Sequence, residues 1–203
     1  MQKVAHSMSY SIKFKKLQNN KSKFSIMKFT EFDPQNTTID KIPSCEGNYI
    51  VVLRDESNLP KDKINIEPNF SMFNNHRVIY TGISTDLRKR DIDNHLNGTA
   101  GKSTLRKSLG VLFGYQLIPR DKNPKSTKTT FKDDDEAKLS SWMKNNLLFY
   151  HCANNKSEVN EQVLIDTYDP PLNLDKSQVS KDSKNKEFRD AVSALRSSKN
   201  MKR

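Results

Sequence analysis

The stretch RVIYTGISTDLRKRDIDNHL, residues 77–96, decides the fold because its pattern changes halfway along. Its first part is rich in β-branched and aromatic residues and favours a strand, whereas residues 85–96 lack Gly and Pro and favour a helix. Gly82 lies near the change, and Asp86 falls in the first helical turn, where the helix dipole favours a carboxylate. This stretch therefore predicts a strand that leads into a basic helix, an arrangement that can bring a phenol, a guanidinium and an imidazole to one phosphodiester.

The composition indicates a polyanion as partner. The 203 residues carry a formal net charge of +11, which attracts polyanions and makes their binding salt-dependent. A ribosomal protein or another basic protein would have the same bulk charge. Only 33% of the residues are hydrophobic, so we expect extensions beyond one packed domain.

Cysteine usage and hydropathy bear on the compartment. Cys45 and Cys152 are too few and too far apart for a disulfide framework, and the sequence has no CxxC pair of the kind that binds zinc. We therefore expect a reducing compartment and a cytoplasmic location. No apolar run suits a signal peptide or a membrane span, so no membrane partner is expected.

The remaining elements are predicted around this stretch. Residues 47–54, GNYIVVLR, are apolar on both faces and predict a central strand, and residues 147–152 predict a third strand. Ser103 is a candidate N-cap for a second helix. Residues 1–45 are interpreted as a basic N-terminal extension, and residues 176–203 as a C-terminal amphipathic helix with a basic tail.

Several short motifs follow one another in a set order. They are Gly47-Asn48-Tyr49, Tyr80-Thr81-Gly82, a helix with Arg and His, a helical Glu, and Pro170-Pro171-Leu172-Asn173. In this order, from about residue 47 to 173, the chain resembles the GIY-YIG nuclease domain. The resemblance implies a small α/β (α+β) sandwich at residues 46–175, with a three-stranded antiparallel sheet flanked by helices. It also implies phosphodiester hydrolysis with one Mg²⁺ (or Mn²⁺) per active site.

The resemblance implies catalytic roles for five residues. Tyr49 and Tyr80 match the two motif tyrosines, one orienting or deprotonating the attacking water and the other supporting it. Arg90 matches the arginine that clamps the phosphate, and His95 the histidine that activates the nucleophile or contacts phosphate. Glu161 matches the metal-holding glutamate. A carboxylate on an apolar helix face is costly unless it is paired or cation-bound, which supports the same role for Glu161.

Other motif positions have structural roles or depart from the pattern. The structural positions are Gly47, Gly82 and Asn173. Asn48 stands where Ile is usual, and Asn is poor in a central strand unless its amide is hydrogen-bonded. His95 follows Arg90 by five residues, whereas a spacing of four would stack the side chains on one α-helical face. Arg88 is therefore an alternative phosphate clamp.

The predicted function is that of a metal-dependent endonuclease that cuts DNA, of restriction, repair or mobile-element type, with RNA a less favoured substrate. The alternative is a non-catalytic basic nucleic-acid-binding protein on the same scaffold. An acidic run at residues 133–136 is interpreted as a helix start rather than a second metal site. No reader module indicates a target sequence, and the oligomeric state stays open. The predicted nucleic-acid contacts are Arg88, Lys89, Lys102, Arg106 and Lys107.

Overall fold

The computed structural model describes residues 9–14, 25–123, 125–175 and 177–202, with side chains from residue 27 onwards. In this part of the chain, six antiparallel strands form one sheet in the order β1-β2-β8-β3-β5-β4, and β6 pairs with β7 in a separate hairpin. The strands are β1 (Ser9–Phe14), β2 (Ser25–Phe32), β3 (Gly47–Leu53), β4 (Met72–Phe73), β5 (His76–Ser84), β6 (Ile118–Pro119), β7 (Thr129–Thr130) and β8 (Leu147–Ala153).

Helices pack on both faces of the main sheet. They are α1 (Leu87–Lys89), which continues as a π-helical segment (Arg90–Leu96), then α2 (Thr104–Leu112), α3 (Asp133–Asn146), α4 (Ser157–Tyr168) and α5 (Lys186–Leu195), with 3₁₀ turns at Ile39–Lys41 and Ser198–Asn200. Ser103 caps α2 as predicted, since its hydroxyl oxygen accepts a 3.1 Å hydrogen bond from the Arg106 amide. None of the helices in the described ranges has the length and apolar character needed to cross a bilayer.

The three predicted strands are confirmed as the central part of the sheet. Every residue of β3 is buried, because β8 and β5 flank it and helices cover both of its faces. Tyr49 and Val51 point into the larger core beneath α2 and α3, whereas Ile50 and Val52 point into a smaller core with Leu164 of α4. This alternation places Tyr49 on the face that carries the basic helix.

The prediction of a three-stranded sheet is wrong, because β2 extends the sheet beyond β8. Thr30 of β2 is in register with His151 of β8, and Met27 and Phe29 are buried in the smaller core. Without β2, the edge of β8 would expose unpaired backbone groups next to an apolar face. Part of the predicted basic extension therefore belongs to the sheet, while residues 1–8 and 15–24 of that extension lie outside the described residues.

Helix α5 docks on the same core as the rest of the fold. Phe188 and Val192 are buried in the larger core. The Arg189 guanidinium donates to Asp169 at 2.6 Å and to the Pro170 carbonyl at 2.7 Å, at the point where α4 ends. The amphipathic helix predicted for the C-terminal region is thus held against the residues that follow α4.

Candidate active site

The hydroxyl of Tyr49 is the point where three predicted site residues meet. Arg90 Nε donates to it at 3.1 Å, and His95 Nε2 lies 2.9 Å from it. Tyr49 is in register with Gly82 of β5. A Cβ atom at Gly82 would lie 2.5 Å from the Tyr49 hydroxyl oxygen, so glycine leaves the space that this ring occupies. The two motifs are therefore parts of one structural unit.

The helix after β5 explains the spacing of Arg90 and His95. It changes from α-helical to π-helical at Arg90, and the Asn97 amide donates to the Ile92 carbonyl five residues earlier at 2.8 Å. In this wider turn, a five-residue spacing brings both side chains to Tyr49. A continuous α-helix over residues 85–96, as the sequence predicts, would separate them.

Arg88, the alternative clamp, points elsewhere. Its Nε donates to the Ile42 carbonyl at 2.9 Å, and its NH1 lies 3.9 Å from the Asp40 carboxylate. These contacts attach α1 to the 3₁₀ turn at Ile39–Lys41 rather than to the tyrosines. Of the two arginines, only Arg90 contacts Tyr49.

Burial keeps the Tyr49–His95 pair uncharged. Both side chains are fully buried. Burial raises the pKa of Tyr49 well above 10.0, and this effect outweighs the opposite effect of the Arg90 charge. Burial also lowers the pKa of His95 well below 6.5, and the charges of Arg90 and Arg106 act in the same direction. Tyr49 is therefore a neutral phenol, not the phenolate that a general base would need.

Ser103 completes this hydrogen-bond network. Its hydroxyl lies 2.7 Å from His95 Nδ1. With the imidazole proton on Nδ1, His95 donates a hydrogen bond to Ser103 and accepts one from the Tyr49 hydroxyl at Nε2. The Tyr49 oxygen in turn accepts from Arg90 Nε. The network therefore fixes the position of the Arg90 side chain.

Tyr80 is the accessible tyrosine of the pair. Its ring centroid lies 6.1 Å from that of Tyr49 and 6.2 Å from that of His95. Its hydroxyl lies 3.2 Å from Thr104 Oγ1, and its half-exposed ring lines a cleft of about 660 Å³. A molecule in the cleft would therefore meet Tyr80 rather than Tyr49.

Glu161 lies on the same cleft. Its carboxylate accepts a long hydrogen bond, 3.4 Å, from Gln178 Nε2. Burial raises the pKa of Glu161, whereas Gln178 and the positive charge of Arg90 lower it. The cleft is lined by residues of α2 and β7, of α4 and the segment that follows it, and of α5 and the residues after it.

The segment after α4 is hydrogen-bonded to β5 like an additional strand. The Asn173 side chain accepts from the Thr81 amide and donates to the Thr81 carbonyl, both at 2.9 Å. The Leu172 amide donates to the Ile79 carbonyl at 3.0 Å. Asn173 thus fixes the segment that forms the Glu161 side of the cleft against the strand that carries Tyr80.

The unusual Asn48 has the hydrogen bonds that its position requires. Its Nδ2 donates to the Ser157 carbonyl at 2.8 Å, and its Oδ1 accepts from Asn154 at 2.9 Å. Since Ser157 is the first residue of α4, Asn48 attaches β3 to the helix that carries Glu161. At the neighbouring motif position, Gly47 packs directly against the Cys152 carbonyl, where no side chain fits.

The predicted nucleic-acid contacts divide into two groups. Lys89 and Lys102 are exposed, and Lys107 is half-buried on the cleft. Arg106, predicted to point outward, has a fully buried side chain, so the prediction that it contacts DNA is wrong. Arg106 instead donates to Glu136 Oε2 at 2.7 Å and to the His95 carbonyl at 2.8 Å.

Two features of the site region were not predicted from the sequence. Asp91, next to Arg90, has a carboxylate in close buried contact with the His151 ring of β8. Arg196, the C-cap residue of α5, lines the same cleft as Glu161. Asp91 stood in the sequence beside a predicted site residue, but nothing there indicated its partner, which lies 60 residues away.

The donor set suits a metal that takes few protein ligands. Within the described ranges, no cluster of three or more His, Cys, Asp or Glu side chains could hold a metal ion. Glu161 and the exposed Asp175 are the carboxylates that line the cleft. Mg²⁺ commonly binds through one or two carboxylates and fills its other positions with water and substrate phosphate oxygens. The residues present therefore fit a magnesium ion with Glu161 as ligand.

Comparison with known proteins agrees with this geometry. The profile of the GIY-YIG catalytic domain matches residues 47–198, which include β3, β5, the π-helical segment, α4 and α5. No curated protein and no solved structure matches the chain significantly. The matched region covers most of the chain and contains both tyrosine motifs, and the chain therefore belongs to the family of GIY-YIG catalytic domains.

Proposed function

We propose that this chain is a metal-dependent endonuclease that hydrolyses DNA phosphodiester bonds in the cleft between Tyr80 and Glu161. Membership of the GIY-YIG family supports a nuclease-type activity. The net charge of +11 supports a nucleic acid as the substrate. The proposal assigns phosphate binding to Arg90, metal binding to Glu161 and the support of Arg90 to Tyr49 and His95.

The observation that carries the proposal is a pair of opposite charges without ion-pair partners among the described residues: Glu161, which lines the cleft, and Arg90, whose positive charge acts on Glu161. Glu161 is half-buried, and its carboxylate accepts the long hydrogen bond from Gln178. Arg90 uses Nε on Tyr49 and reaches the Lys102 carbonyl only at 3.5 Å, which leaves guanidinium donors for a ligand. A carboxylate and a guanidinium in this state match a metal ion and a phosphate.

In this proposal, Arg90 binds a non-bridging oxygen of the scissile phosphate. Its planar fork can donate two parallel hydrogen bonds and keeps its charge at all relevant pH values. The buried Tyr49–His95–Ser103 network holds the fork in place, which avoids reorganisation as negative charge develops on the phosphate. Tyr49 therefore acts as a positioning residue.

Tyr80 is the tyrosine that can contact the attacking water. Its half-exposed hydroxyl can accept a hydrogen bond from the water and orient its lone pair towards phosphorus. As the new P–O bond forms, the water loses a proton, the ester P–O bond breaks and the departing oxygen takes up a proton. A divalent ion held by Glu161 would supply charge neutralisation and would lower the pKa of bound water.

The test is cleavage of supercoiled plasmid, branched DNA and single-stranded DNA with Mg²⁺ or Mn²⁺, with EDTA as a parallel sample. We expect metal-dependent nicking that Glu161→Gln abolishes, because the amide is a weaker metal ligand. Glu158→Gln is the matched control, since Glu158 is an exposed carboxylate on the same helix.

Two outcomes would contradict the proposal. Cleavage that survives Glu161→Gln would remove the metal assignment. DNA binding without cleavage of any substrate would favour the non-catalytic alternative. RNA in place of DNA in the same assay distinguishes the two substrate classes.

A further inference from the structure

Two basic side chains line the cleft that contains Glu161. They are Lys107 of α2 and Arg196 at the end of α5. Arg196 NH1 donates to Ser108 Oγ at 3.3 Å, which holds the guanidinium against α2. Both side chains are partly buried, so they are directed by packing rather than free in solvent. Helix α5 therefore brings a cation to the cleft from outside the domain that the sequence predicts.

These two cations have no acidic partner in the described part of the chain. Neither forms an ion pair there, and the Arg196 guanidinium donates to the Ser108 hydroxyl. Burial lowers the pKa of Lys107, and the neighbouring charges of Arg196 and Arg120 lower it further. Burial also lowers the pKa of Arg196. The carboxylate whose charge raises the pKa of Lys107 is Glu136, which is already paired with Arg106.

Like charges placed together without a counter-charge favour the binding of an anion. Glu161 and Asp175 line the same cleft, whereas the charges that act on Lys107 are those of Arg196, Arg120 and Glu136. Neutral hydroxyl donors lie beside the cations, from Thr104, Thr127 and Ser197. Cations with hydroxyl groups are the usual contacts of a nucleic-acid backbone, and they carry no information about base sequence.

We propose that Lys107 and Arg196 form a subsite for a backbone phosphate adjacent to the scissile one. This inference rests on the proposed nuclease function, because it takes the substrate to be a nucleic-acid strand that lies across Tyr80. Lys107 approaches the phosphate from α2 and Arg196 from α5, so binding of the strand depends on the docked C-terminal helix. The subsite positions the strand and takes no part in bond cleavage.

The experiment compares Arg196→Gln and Lys107→Gln with the wild type. Glutamine at position 196 removes the charge and retains a donor for Ser108, which protects the docking of α5. Lys186→Gln is the control, because it removes an exposed charge at the other end of α5, away from the cleft. Binding of a fluorescent DNA duplex is measured by anisotropy in EDTA over a range of salt concentrations.

We expect each subsite variant to weaken DNA binding about tenfold, and the double variant to lower the salt slope by about 1, the amount for one phosphate contact. In cleavage assays, KM should rise while kcat stays within about twofold, since binding of a remote phosphate stabilises ground state and transition state equally. Lys186→Gln should match the wild type in DNA affinity, salt slope, KM and kcat.

The outcomes separate this inference from the proposed function. If the wild type binds DNA without cutting it, the nuclease proposal fails. The salt slopes of the wild type and the variants still show whether Lys107 and Arg196 bind a phosphate. If it cuts DNA and the subsite variants retain the wild-type salt slope and KM, the subsite is overturned and the nuclease proposal stands. If Lys186→Gln lowers DNA affinity and the salt slope as much as the subsite variants do, the losses come from general surface charge and not from a subsite. A wild type that binds no DNA would overturn both.

Discussion

Two arginines, 16 residues apart in sequence, differ in how completely the protein uses their donors: Arg106 is fully buried and Arg90 is half-buried. In what we term the saturated cluster, Arg106 donates to Glu136, to Ser140 Oγ at 3.0 Å and to the carbonyls of His95 and Leu96. In the open cluster, formed by Tyr49, Arg90, His95 and Ser103, Arg90 has one hydrogen bond of ordinary length. The first arginine has no donor left for a ligand, whereas the second has several.

This difference separates an arginine whose donors are all used within the protein from one whose guanidinium has donors left for a ligand. Arg106 and Glu136 neutralise each other at 2.7 Å, and the other Glu136 oxygen accepts from the Ala100 amide at 2.7 Å and from Thr130 at 3.0 Å. A buried ion pair with these additional bonds joins α2 to α3 and closes the site on that side. Arg90 has no comparable partner within the described ranges, and its positive charge acts on Glu161, which lines the cleft. In the proposed function, its unused donors bind a phosphate.

The largest effect should come from breaking the saturated cluster. Arg106→Met leaves Glu136 as a buried charge without its partner, and we expect a loss of about 3–5 kcal/mol in the free energy of unfolding. Urea denaturation followed by circular dichroism measures it. Lys102→Met, at an exposed position, should stay within about 0.5 kcal/mol of the wild type. If Arg106→Met instead leaves the free energy of unfolding unchanged and weakens DNA binding, Arg106 contacts DNA as the sequence predicts.

Breaking the open cluster should affect activity instead of stability. Arg90→Ala should lower kcat about 10²–10³-fold, the usual effect of removing a donor to transition-state charge. The free energy of unfolding should change by no more than about 1 kcal/mol, since Arg90 makes few bonds within the protein. Arg88→Ala is the control, and it should cleave at near the wild-type rate. The reverse result would make Arg88 the clamp.

The two clusters also show which parts of the fold and of the site can be predicted from the sequence. Strands β3, β5 and β8 were predictable because their apolar and β-branched runs are local signals. The order of the motifs indicated Tyr49, Tyr80 and Glu161, and the structure places all three on or beside one cleft. The capping of α2 by Ser103 was equally local.

The features that were not predicted from the sequence depend on contacts between residues that are distant in sequence. Arg106 lies in a helix that is buried on almost every side, and only Glu136, 30 residues later, explains its burial. The π-helical turn has no periodic signature, although the five-residue spacing of Arg90 and His95 was a sign of it. The docking of α5 depends on Arg189 meeting Asp169, which no local pattern shows.

A smaller effect is expected where the two tyrosine motifs touch. Gly82→Ala places a methyl group against the Tyr49 ring, whose nearest atom would lie at 2.5 Å. We expect a loss of about 1–3 kcal/mol from overpacking, together with slower cleavage, because the ring that positions Arg90 must shift. Gly101→Ala is the matched control, since its methyl group would meet only the flexible Arg120 side chain. Equal losses in both variants would show that Gly82 has no special relation to Tyr49.

The smallest effect concerns His95, which joins the two clusters. Its ring contacts Tyr49 and its carbonyl accepts from Arg106. Burial holds the pKa of His95 well below 6.5 in the folded protein, so below pH 6.5 the unfolded chain binds a proton that the folded chain does not. Stability should therefore fall as the pH falls, and His95 should contribute about 1.4 kcal/mol per pH unit to this slope.

His95→Gln removes that contribution from the slope. The variant has lower stability at neutral pH, because it loses hydrogen bonds, but its stability should fall less steeply than that of the wild type between pH 6.5 and 5. Asp91, whose pKa burial raises, favours the opposite pH dependence in both proteins, so the difference between the two curves isolates His95. Urea denaturation at half-unit pH intervals measures both curves. Parallel curves would mean that folded His95 binds a proton as readily as the unfolded chain, and the open cluster would then carry a second positive charge beside Arg90.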